Sequence, residues 1–210
     1  MHKTDTASDS FHSRFNRILA VVAWALTLFA LITSAVAGLL AGAEAARIVL
    51  PLALIALAAY VVLWRPSLTV DDDAVTVVNV LRTVVIPWAA LIDVDTKFSL
   101  TLRTPNGRFG VWAAPAPGRT GVAMARRAER RHGNQAQTAA MGNRSRPGDL
   151  VTTESGEAAY LVRERWNSLV EAGRIEAGQA ESTAVLVRWH WVLDAALAGL
   201  LIATIIVLAS

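Results

Sequence analysis

The chain has 210 residues, a net charge of +3, 54% hydrophobic residues and a mean hydropathy of +0.41. The absence of cysteine excludes a disulfide framework, a thiolate metal site and a thiol nucleophile. A charge of +3 is too small on its own to indicate nucleic acid, and the apolar excess points to membrane spans.

Residues 1–17 form a polar tail carrying Lys3, Arg14 and Arg17. From Ile18 to Ala43 no side chain is charged, and the run is longer than the about 20 residues a helix needs to cross a bilayer. A cleaved signal peptide is the competing reading, with Arg14 and Arg17 as its basic region and "AVA" at 35–37 as its cleavage site. The apolar run continues through Leu39 and Leu40, so a retained span is expected. After Glu44 and Arg47, residues 48–64 are again uncharged, a span at the short limit with Pro51 in its first turn. Residues 18–64 thus read as a transmembrane helical hairpin. A third span is expected over 189–210, with one charge, Asp194, four residues from His190 and on the same helix face.

Lys and Arg are unevenly placed: residues 65–188 hold 16 of the 20. Arg14, Arg17, Arg65 and Arg188 flank the spans, and the positive-inside rule puts the N-terminus and the central region in the cytoplasm.

Residues 66–114 change character. "LTV" (68–70), "VTVVNV" (75–80) and "TVVIPW" (83–88) are short β-branched runs separated by turns, the first turn being Asp71-Asp72-Asp73. Pro87 has no N–H for a ladder and is expected to end its strand, with Trp88 packing into the core. From Ile92, alternation places Ile92, Val94, Phe98, Leu100 and Leu102 on a buried face and Asp93, Asp95, Lys97, Ser99 and Arg103 on a wet one, with a break near 97–99. Asn106-Gly107 marks a tight hairpin before "FGVWAA" (109–114). About six strands in an antiparallel meander are expected. An amphipathic helix over 155–172, presenting Ala158, Leu161, Val162, Trp166, Leu169 and Val170, would cover them, with Ser155 as N-cap and Gly173 past its end.

This order of strands closed by one helix resembles the pleckstrin-homology (PH) fold, and its setting between spans resembles the bacterial PH-domain membrane proteins. The landmarks are Arg65-Pro66, the Asp71–Asp73 turn, "NVLRTVVIPW" (79–88), "LIDV" (91–94) and "NGRFGVW" (106–112). The resemblance implies an integral membrane α+β protein: hairpin 18–64, a PH-like domain over 65–173 with a basic insertion at 115–153, a linker at 174–188 and a final span. Eukaryotic lipid-binding PH domains carry basic residues in the first hairpin. Here three carboxylates would repel phosphate, so phosphoinositide binding is not carried over.

No nucleotide loop, HExxH motif or Ser/His/Asp grouping is present in the sequence. An enzyme is therefore not expected, nor a catalytic site, a metal or another cofactor. The expected role is a non-catalytic module at the cytoplasmic face of the cell membrane that docks an unknown protein partner, with Arg108 and Trp112 as the candidate surface. The alternative is a module sensing anionic lipid. Arg119, Arg126, Arg127, Arg130 and Arg131 in the insertion would contact headgroups, at about 1 kcal/mol each. No aromatic platform interleaves with these arginines, so nucleic acid is not an expected partner.

Overall fold

The computed structural model describes residues 8–41, 46–97, 99–115, 153–175 and 178–209. In chain order its elements begin β1 (Asp9–Phe11), α1 (Arg14–Ala41), α2 (Ala46–Ala59), β2 (Ser67–Val70), β3 (Ala74–Val78) and β4 (Arg82–Pro87). They continue with β5 (Asp93–Asp95), β6 (Ser99–Thr104), β7 (Gly107–Pro115), α3 (Glu154–Glu171), β8 (Leu186–Trp189) and α4 (Trp191–Ala209). The chain divides into a helical unit (Arg14–Pro66, Val80–Arg82 and the residues from Trp189 on) and a β-rich unit holding the rest.

In the helical unit, α2 packs against both α1 and α4. It ends in a wider π-helical turn, Tyr60–Trp64, closed by the Arg65 N–H on the Tyr60 carbonyl at 2.9 Å. Three helices among the described residues are long and apolar enough to cross a membrane: Arg14–Val36, Arg47–Trp64 and Trp191–Ala209. The Trp24 indole donates to the Ala56 carbonyl at 3.0 Å, tying α1 to α2. Pro51 stands in the second turn of α2, because that helix starts at Ala46 rather than at Ile48 as the apolar run suggested.

In the β-rich unit the strands form two sheets rather than one meander, ordered β1-β2-β3-β4-β8 and β5-β6-β7. The pairs β1–β2, β2–β3, β3–β4, β5–β6 and β6–β7 are antiparallel. Strict period-2 alternation sends Leu68, Val70, Val75, Val77, Val84 and Ile86 from the first sheet, and Val94, Leu100, Leu102, Phe109 and Val111 from the second, into one core. α3 closes it with Ala158, Ala159, Val162 and Leu169.

Two strands come from segments read as tail and linker. β1 lies in the polar tail and contributes the buried Phe11, and β8 begins within residues 174–188. Ile92, expected inside, is exposed; Leu91 fills the core there, because the single turn Trp88–Ala90 re-aims the chain before β5 begins. The β6–β7 turn centres on Pro105-Asn106, since Thr104 pairs with Gly107. With Pro105 at the first central position, where φ is held negative, a type I′ turn is excluded, and Gly107 takes φ +141° as the first residue of β7.

The N-cap of α3 is Thr153, not Ser155: its hydroxyl accepts from the Gly156 N–H at 3.1 Å. At the other end the Gly173 N–H reaches the Val170 carbonyl and the Arg174 N–H the Leu169 carbonyl. That double bond pattern needs a left-handed residue, and Gly173 supplies it at φ +67°. Val170, expected on the covering face, is exposed, while Leu161 and Trp166 pack on the core edge.

Candidate interaction surface

The outward side of β5-β6-β7 is set by the same alternation that fills the core. Asp93 and Asp95 on β5, Thr101 and Arg103 on β6, and Arg108, Gly110 and Trp112 on β7 all face away from it. Asp93 stands opposite Arg103, and Arg103 opposite Arg108. Two cations side by side repel, and the charge of Arg103 is met from the other flank: Nε lies 3.7 Å from Asp93 and Nη2 3.2 Å from Asp95. No ion pair holds Arg108 among the described residues, so its guanidinium extends into solvent beside a neutralised neighbour.

Trp112 is 52% exposed, with its flanking residues Val111 and Ala113 buried. Its backbone is pinned. Asn79, in the turn after β3, accepts from the Trp112 N–H at 2.9 Å and donates to the Gly110 carbonyl at 2.8 Å. One side-chain amide thus takes up two backbone groups of β7 along its outer edge, as a residue of a neighbouring parallel strand would. The opposite edge is treated similarly: Arg163 on α3 donates to the Val94 carbonyl of β5 at 2.8 Å. Both clasps were invisible to pattern reading, which sees periodicity and turn chemistry but not where a turn side chain lands.

Arg108 and Trp112, the residues singled out from the sequence, therefore sit on one exposed face of one strand. Arg119, Arg126, Arg127, Arg130 and Arg131 lie outside the described residues.

The carboxylates of the Asp71–Asp73 turn meet α3 and its C-terminal extension. Asp72 pairs with Arg165 and, at 3.8 Å, with Arg174; Asp73 lies 3.6 Å from Arg174. The turn is further held by Trp88, which is 3% exposed and donates its indole N–H to the Asp71 carbonyl at 2.9 Å. The acids of this first hairpin thus anchor the closing helix.

His190 precedes α4 and its carbonyl accepts from the Asp194 N–H, so the two residues frame the first turn of that helix. Arg65 Nη1 lies 2.7 Å from His190 Nδ1. The helix-face pairing expected for His190 and Asp194 does not bring their side chains into a hydrogen bond; His190 turns to Arg65 instead.

No curated protein and no solved structure matches the chain. A family model does: residues 65–147 match the one described as bacterial PH domain, a stretch that starts at the end of α2 and stops short of α3. β2 to β7 thus lie in the segment that is similar to bacterial PH domains.

Proposed function

We propose that the protein is a membrane-anchored, non-catalytic PH module that docks a protein partner at the cytoplasmic face of the cell membrane, through the outward face of β7. PH domains serve as interaction modules for proteins or lipids, and three helices here are long and apolar enough to span a bilayer. The Lys/Arg asymmetry across those helices supports the cytoplasmic orientation. The observation that carries the reading is Trp112. It is a large aromatic left half-exposed on a strand whose backbone is clasped, with the arginine Arg108 beside it. Trp and Arg are among the residue types enriched at interface hot spots, and the indole brings much contact area at little ordering cost.

The test is a photo-crosslinking residue at position 112 of the full chain in intact cells. A discrete adduct that disappears in the Arg108→Asp variant supports the reading. Absence of any adduct at 112, together with loss of an anionic-lipid preference when Arg126, Arg127, Arg130 and Arg131 become Gln, would move the function to the basic insertion.

A further inference from the structure

The helical unit includes Val80–Arg82, the residues that turn the chain from β3 into β4. Exposed turns are built mainly from Gly, Pro, Asn, Asp and Ser. Here the tip is Val80-Leu81, and Leu81 is 51% exposed. A single exposed leucine carries little meaning on a protein surface. This one is tied to the head of a candidate span. The His190 N–H donates to the Leu81 carbonyl at 2.9 Å, and His190 immediately precedes Trp191, the first residue of α4. Arg82, next after Leu81, places its guanidinium 5.5 Å from the centroid of the Trp189 ring, and that ring lies 5.9 Å from the Trp191 ring. Both indoles are exposed.

These ties fix a depth. The span in α4 runs over 19 residues, Trp191–Ala209. At about 1.5 Å per residue it is about 28 Å long, close to the about 30 Å of a bilayer's hydrocarbon core. A helix that only just spans has no length to spare, so its first residue stands at the boundary between acyl chains and headgroups, where Trp is favoured. A backbone hydrogen bond to the residue just before that boundary holds Leu81 in the same layer. A tip that met only water would call for polar turn residues. An exposed leucine held level with two exposed indoles fits the bilayer interface, which takes up apolar side chains while hydrating the backbone around them.

We propose that the Val80-Leu81 tip is a membrane-contacting turn whose Leu81 side chain inserts among the lipids at the headgroup–acyl boundary, beside Trp189 and Trp191. The inference rests on α4 crossing a bilayer, as the membrane-anchored reading holds. The partner is the apolar margin of the bilayer rather than any particular headgroup, and the contact is separate from the outward face of β7 and from the basic insertion.

The chain has no cysteine, so a single introduced cysteine can be spin-labelled in the full protein, reconstituted into vesicles of phosphatidylcholine and phosphatidylglycerol. Leu81→Cys reports the turn, Leu201→Cys the middle of α4 and Asn167→Cys the polar surface of α3. All three positions are exposed, so the labels displace no core group. Relaxation of each label by oxygen, which concentrates in lipid, is compared with relaxation by a water-soluble nickel chelate. The expected oxygen-to-nickel ratio is lowest at 167 and highest at 201, with 81 between them and several-fold above 167. A ratio at 81 equal to that at 167 overturns the proposal. So does poor access of both reagents to 81, which would put protein rather than lipid over the leucine. A label at 201 that reads as water refutes the anchoring itself, whereas 201 in lipid with 81 in water refutes only the turn.

Discussion

Replacing Asn79 by alanine should loosen β7 at the residue proposed to meet a partner. The Asn79 side chain makes two hydrogen bonds, 2.8 Å to the Gly110 carbonyl and 2.9 Å from the Trp112 N–H. Each contributes about 1 kcal/mol net, and both are at the surface, where water can replace them, so the global cost is about 1–2 kcal/mol. The local effect is sharper: the Trp112 amide loses its partner and should exchange with deuterium about 5-fold faster. Asn79→Asp keeps an oxygen for the Trp112 N–H but turns a repulsive carboxylate on the Gly110 carbonyl. Its Trp112 amide should stay protected while overall stability still drops. Hydrogen exchange read by mass spectrometry on the full chain in nanodiscs measures both quantities. Unchanged Trp112 protection in the alanine variant would refute the clasp, and with it the claim that the backbone beneath Trp112 is held rigid.

Three further outcomes follow from the packing. Trp88→Phe retains most of the buried ring but orphans the Asp71 carbonyl, and should cost about 1–3 kcal/mol in urea denaturation; no loss would mean that the 2.9 Å bond contributes nothing. Gly173→Ala forces a Cβ into φ +67° and should destabilise by about 1 kcal/mol, seen as a lower melting temperature, although no atom would clash with the added methyl. Asp72→Asn removes the pairing to Arg165 and Arg174. Because these groups are partly exposed, the expected loss is at most about 1 kcal/mol, and it should shrink in 1 M salt; an effect independent of salt would assign the loss to packing instead.

What the sequence revealed, and what it concealed, follows from the reach of each signal. β2, β3, β4 and β6 announce themselves by alternation over several residues, and α3 by its apolar face and terminal Gly173. β1 has three residues and only one, Phe11, turned to the core, so no period can be read from it. β8 has all four residues exposed, so no buried parity marks it either. Ile92 obeyed the parity rule on paper and broke it in space, because the helical turn beginning at Trp88 resets which side faces inward. Arg108 and Trp112 were legible as wet-face residues of a strand. Asn79 was not, since its role depends on a contact across 33 residues of chain. The Arg65–His190 pairing spans 125 residues and has no local signature at all.

β1 lies before α1, and its sheet neighbour β2 lies after α2. Their ladder, from Asp9 against Val70 to Phe11 against Leu68, closes a loop through the whole helical hairpin. In a bilayer this becomes a parity condition. A strand made before the hairpin can join one made after it only if the intervening chain crosses an even number of times. A half-inserted hairpin strands the N-terminal segment on the wrong side and leaves the β2 edge open. Completion of the sheet thus reports, residue by residue, that the two helices ahead of it were threaded together, a check on membrane biogenesis that owes nothing to the distribution of charge.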